Sequence, residues 1–100
     1  MEVKAKLYND ITTVRLKVQH LMQAATEVGK NMPISTEANY VQEINCEYQG
    51  KKVIQIQLGP YISDNPFFEF SFKGGAKGET LKLRWNDNLG VVKKHEVFID

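Results

Sequence analysis

One hundred residues carry thirteen basic and twelve acidic side chains, a formal charge of +1. That length predicts a single domain spanning residues 1–100. The balanced charge gives no electrostatic reason to expect nucleic acid or an anionic membrane as partner, and no apolar run approaches the ~20 residues of a bilayer span.

In chain order, Val3, Ala5 and Leu7 alternate with charged residues and predict a first short strand, closed by a turn at Asn9-Asp10. Val14, Leu16 and Val18 alternate with Arg15, Lys17 and Gln19, a second strand whose parity carries on through His20 and Met22. From Gln23 to Asn39 the pattern fades. Gly29, Pro33 and several small polar residues predict a long irregular connection there, with one helical turn near Gln23 to Glu27. Alternation resumes with Gln42, Ile44, Cys46 and Tyr48, turns at Gln49-Gly50, and returns with Ile54, Ile56 and Leu58.

The stretch from Leu58 to Phe72, LGPYISDNPFFEFSF, holds a Gly-Pro bend, a turn at Asn65-Pro66 and an aromatic strand over 67–73. Phe68, Phe70 and Phe72 point one way, Glu69 and Ser71 the other. Gly74-Gly75 and Gly78 predict a hairpin before the strand of Leu81, Leu83 and Trp85. Asn86-Asp87-Asn88 and Gly90 predict the last turn, and a final strand runs from Val91 to Ile99. About seven strands with regular turns predict an all-β antiparallel sandwich, immunoglobulin-like in architecture. One Cys and one Trp exclude the Cys–Trp–Cys arrangement of a true immunoglobulin domain. The predicted core is Val14, Leu16, Val18, Ile44, Ile54, Ile56, Phe68, Phe70, Leu81, Leu83 and Trp85.

Few residues point to chemistry. His20, Cys46 and His95 are the soft ligands, and no pair has the short spacing of a zinc site, so no metal or cofactor is expected. A small metal or thiol protein built on those three is the alternative they leave open. Cys46 has Asn45 and Glu47 beside it and no basic neighbour to activate it, so a packed thiol is the simpler reading. The glycines of 74–78 cradle no phosphate, because no helix follows. Asp64, Asp87 and the glutamates are scattered, and solvated surface is the default for each. No catalytic constellation emerges, which favours a binding role over an enzyme; a generic sandwich interaction module would satisfy these observations too. Tyr61, Phe67 and Tyr40 fall off the inward parity, as aromatics of an interface do. The opening MEVKAKLYND has no apolar signal core and one cysteine forms no internal disulfide, so the residues alone point to the cytoplasm.

Four stretches, in this order and spacing, resemble the SoxZ family. VQHLM (Val18 to Met22) is similar to a strand ending in His-Pro-Met, and YQGKKV (Tyr48 to Val53) to a Tyr-x-Gly-x-x-Val hairpin. LGPYISDNPFFEF (Leu58 to Phe70) is similar to Pro-x-Ile-x-x-Asn-Pro-aromatic, and TLKLRWNDNLG (Thr80 to Gly90) to Trp-x-Asp-x-x-Gly. The likeness runs from about Val14 to Phe98. Leu21 stands where the family has proline, and the loop after Met22 lacks its basic cluster. The resemblance implies a non-catalytic subunit of the SoxY–SoxZ thiosulfate-oxidising carrier, without a cofactor. It implies a heterodimer with a SoxY-like chain whose C-terminal cysteine arm carries the sulfur. It also implies a periplasmic location, reached bound to a partner that bears the export signal, against the cytoplasmic reading above. The expected partner-binding residues are Tyr61, Asn65, Pro66 and Phe67, with His20 and Met22 at the rim.

Overall fold

A computed structural model describes residues 1–25 and 37–100. Seven strands follow one another: β1 (Glu2–Tyr8), β2 (Ile11–Lys17), β3 (Val41–Tyr48), β4 (Lys51–Gln57), β5 (Phe67–Lys73), β6 (Thr80–Asp87) and β7 (Val92–Phe98). They form two antiparallel sheets, ordered β1-β2-β5 and β4-β3-β6-β7. This is the all-β sandwich that the alternation predicts. The expected helical turn begins on residues without helix, since Gln23 bridges Asn39; Thr26 and Glu27 lie outside the described residues.

Turn chemistry explains the hairpins. Asn9 and Asp10 both take positive φ, 48° and 64°, as does the Gln49-Gly50 pair. Two left-handed residues in succession match the right-handed twist of the flanking strands. Gly75 has a different reason to be glycine. Its φ is 94°, and a Cβ there would sit 2.3 Å from Thr12 Oγ1. That hydroxyl is fully buried and donates to the Gly74 carbonyl at 2.7 Å.

The core is Ala5, Val14, Leu16, Val18, Met22, Val41, Ile44, Cys46, Leu81, Leu83, Trp85 and Ile99. Ile54, Ile56, Phe68 and Phe70, predicted there, are only half-buried. The reason is topological: β4 and β5 are the free edges of their sheets, and an edge strand has a neighbour on one side only. The opposite corner is closed. Ile99 bridges Ala5, Leu7 N–H donates to the Asp100 carbonyl at 2.8 Å, and Asp100 N–H donates to the Ala5 carbonyl at 2.9 Å. In β3 the register shifts between Val41 and Glu43, so Gln42 points outward and Val41 takes the inward place that parity predicts for Gln42. Tyr40, expected off the core, is half-buried and packs against it.

Candidate functional site at the loop end of the sandwich

β2, β4 and β6 end, and β3, β5 and β7 begin, at one end of the sandwich. The connections after β2, β4 and β6 meet there and are cross-tied. Val18 N–H donates to the Pro66 carbonyl at 3.0 Å, and Asn65 N–H to the His20 carbonyl at 2.9 Å. His20 N–H returns to Asn65 Oδ1 at 3.1 Å, and Met22 N–H donates to Asp64 Oδ1 at 2.6 Å. Asn65 holds φ 53°, a region that its short polar side chain tolerates. The two segments that a reader of the sequence sees as separate motifs are therefore one zipped pair.

The His20 ring locks this pair to the β6–β7 hairpin. Its Nδ1 lies 2.5 Å from the Leu21 carbonyl and its Nε2 3.1 Å from Asp87 Oδ2. The ring also sits edge-on to Trp85, with centroids 5.1 Å apart at 82°. Both nitrogens face acceptors, so a ring with a proton on each nitrogen donates to both. Asp87 is only 3% exposed, and its Oδ1 accepts the N–H groups of Leu89 and Val91, each at 2.9 Å. Burial pushes the Asp87 carboxyl up, but the Val91 amide, the His20 ring and the Leu89 amide together outweigh it. The group sits below its ordinary value. Asn88 ties the third connection: Tyr40 N–H donates to its Oδ1 at 2.9 Å, and its Nδ2 donates to the Ala38 carbonyl at 2.8 Å.

His20 and Met22 are therefore not exposed rim residues. Met22 is 7% exposed and the His20 side chain 12%, because both are turned into the tie that closes this end. Pro66 is likewise buried, its carbonyl spent on Val18. Asn65 is exposed, Phe67 is 61% exposed and Tyr61 90%. The structure brings His20, Met22, Asn65 and Pro66 together as a support, and leaves Tyr61 and Phe67 on its surface. The sequence reading missed Asp87, treated as solvated, and the exposed apolar Leu21, Leu89 and Val91 at this same end. The run Asn86-Asp87-Asn88 with Gly90 held the signal, since aspartate before a turn accepts the amides that follow it.

Nucleophilic chemistry finds no footing in these residues. Cys46 is fully buried, and burial, with Glu47 adding to it, pushes its thiol up to about 12. His20 spends both ring nitrogens on structural partners. Cys46, Leu83 and His95 share one ladder row, which sets the thiol and the imidazole two strand spacings, about 10 Å, apart. Among the described residues no three His, Cys, Asp or Glu side chains gather as a metal site would need. What this end offers is a rigid platform bearing exposed apolar side chains.

Comparison with known proteins agrees with the motifs. The family described as "Sulphur oxidation protein SoxZ" matches residues 1–97, which extends the likeness through β1 and covers both sheets. No curated protein matches the chain. With its whole length but the last residues matched, the chain belongs to the SoxZ family of sulphur oxidation proteins.

Proposed function

We propose that this chain is the non-catalytic subunit of a sulfur-compound carrier, and that it pairs with a SoxY-like chain through the loop end. The partner's C-terminal cysteine arm would hold the sulfur intermediates of thiosulfate oxidation, and this chain would stabilise the carrier and present the arm. The observation that carries the reading is Phe67 and Tyr61, 61% and 90% exposed, standing on an end whose connections are cross-tied by hydrogen bonds, two of them partly buried. Large aromatics exposed on rigid backbone suit an interface, because little conformational entropy is lost when they are covered. Leu21, Leu89 and Val91 extend the same apolar end. A net charge of +1 gives little long-range steering, so apolar burial is the expected source of affinity. The proposed location is the periplasm, reached in complex with a signal-bearing partner.

The test is calorimetric titration of the SoxY-like chain into the wild type and into Tyr61→Ala and Phe67→Ala. Both side chains are exposed in the free chain, so the variants fold, and thermal melts verify it. Truncating an anchor costs about 2 kcal/mol, roughly a thirtyfold loss of affinity. Unchanged affinity in both variants removes the loop end from the interface. No binding by folded wild type removes the heterodimer, and export of this chain without the partner removes the proposed route to the periplasm.

A further inference from the structure

A second surface lies on the outer face of the four-stranded sheet, away from the loop end. The register sets Gln55, Asn45, Arg84 and Lys94 in one row across β4, β3, β6 and β7. The neighbouring row holds Glu47, Lys82 and Glu96. Asn45 is on the wet face by parity, between the inward Ile44 and Cys46, yet it is only 8% exposed. Its Nδ2 donates to Glu43 Oε1 at 2.7 Å, and the same oxygen accepts from Gln55 Nε2 at 2.9 Å. Its Oδ1 is buried with no partner. Rotating the amide would turn that oxygen onto the Glu43 carboxylate, so the orientation is fixed by charge. A buried acceptor left unpaired destabilises the fold, because its hydration is lost with nothing in return.

Asn45 lines a depression of about 340 Å³ whose charged rim is Lys52, Lys82, Arg84 and Lys94 against Glu43, Glu47 and Glu96. Arg84 and Lys94 stand directly opposite each other across β6 and β7. Like charges in that position repel and destabilise the pair. The ion pairs among the described residues are Arg15–Glu69 and His20–Asp87, so neither cation is neutralised there. Both amides bond the same Glu43 oxygen, and the neighbouring row alternates in charge as Lys52, Glu47, Lys82 and Glu96. Four cations against three carboxylates leave the depression short of one anion beside Arg84 and Lys94, and Asn45 Oδ1 is short of one hydrogen-bond donor.

We propose that this depression binds an extended acidic segment of a partner protein. A backbone N–H supplies the donor for Asn45 Oδ1, and an Asp or Glu carboxylate a residue or two away supplies the anion for Arg84 and Lys94. A simple oxoanion meets only half of the requirement, since its lone pairs would face those of Oδ1. Arginine takes a carboxylate through two parallel N–H groups, which gives the segment a fixed register. This surface is independent of the loop end, and its test involves no SoxY-like chain.

The probe is the blocked peptide acetyl-Gly-Gly-Glu-Gly-Gly-amide, titrated into ¹⁵N-labelled protein and followed by amide shifts. Saturating shifts confined to residues around Asn45, Arg84 and Lys94 are expected, and the Gln counterpart of the peptide should bind about tenfold more weakly. Lys94→Gln, on an exposed residue, should weaken the Glu peptide several-fold while the melt stays at or slightly above that of the wild type, since the repulsion with Arg84 is relieved. Asn45→Val should weaken the Glu and Gln peptides alike, which isolates the donor contact from charge. Equal binding of the two peptides overturns the proposal, as does a shift map elsewhere or no shift up to the solubility limit. Sulfate binding as tightly as the Glu peptide, at the same residues and unaffected by Asn45→Val, would make this a small-anion site and overturn the peptide assignment.

Discussion

Truncating Asp87 to alanine should cost this protein about 3 kcal/mol of folding stability. The carboxylate accepts three hydrogen bonds: from Leu89 N–H, from Val91 N–H and from the His20 ring. Bonds to a charged acceptor run to about 1.5–3 kcal/mol each, but the two amides lie at a hairpin tip and can turn to water once the acceptor is gone. A low value of about 1 kcal/mol apiece is the fair figure for them, with about another for the ring, whose side chain is 12% exposed. The sum would lower the melting midpoint by roughly 12–24 °C in a domain of this size. Asp87→Asn keeps an oxygen for the amides and loses the charge and the ring contact, so it should fall between. Acid provides the second readout. The folded-state carboxyl sits below its ordinary value, so the unfolded chain binds the proton first as pH falls. The Asp87 contribution is therefore complete above the ordinary carboxylate value of about 4 and is lost as pH drops through the folded-state value. Urea midpoints of wild type and Asp87→Asn, followed from neutral pH to about pH 3, should converge on the acid side. An alanine variant within about 0.5 kcal/mol of wild type, or parallel acid limbs, would refute the tie as the element that holds this end.

Two further outcomes follow from packing. Gly75→Ala should destabilise by about 2 kcal/mol or more, because the new methyl meets the buried Thr12 hydroxyl at 2.3 Å and the residue keeps φ 94°; a Thr12→Ala background should recover part of the loss. Cys46 should react with a thiol reagent far more slowly in the native protein than in urea. Its thiol is raised from about 9 to about 12, so its contribution to stability is complete below 9 and lost as pH rises towards 12. The difference in midpoint between wild type and Cys46→Ala should shrink over that alkaline range, and rapid native labelling would contradict the packed thiol.

The sandwich was legible because parity survives wherever both sheets cover a strand. Val14, Leu16, Ile44, Leu81 and Leu83 sit on central strands and are buried as their pattern predicts. Parity failed at Gln42, where a bulge adds a residue that no local signal announces. It overstated Phe68 and Phe70, because sequence gives the inward face of a strand but not whether that strand is an edge. At the loop end, parity speaks to burial and not to partner contact. His20 and Met22 continue the inward parity of β2 and are turned inward as that parity favours, Met22 fully and His20 in large part. Asp87 and Asn88 were opaque for another reason. Their partners, His20, Tyr40 and Ala38, lie dozens of residues away, and long-range polar ties leave no periodic trace.

The two proposed surfaces divide the labour that a net charge of +1 conceals. Near-neutrality of the whole chain does not mean neutrality of each face. At the loop end Asp87 is buried on His20, and the exposed Asp64 accepts the Met22 amide, so these two carboxylates serve rigidity while Tyr61, Phe67, Leu21, Leu89 and Val91 face out beside exposed charges such as Lys17. On the outer sheet face the cations Arg84 and Lys94 stay unpaired beside a buried acceptor, an arrangement that costs folding stability and gains nothing within the chain. A surface that is stable alone and apolar suits a lasting partner held by burial, whose affinity changes little with salt. A surface that is strained alone and charged suits a second segment that comes and goes, whose affinity falls as salt screens it. In the carrier role proposed above, the first kind of contact would keep the complex together and the second would let other proteins approach and leave.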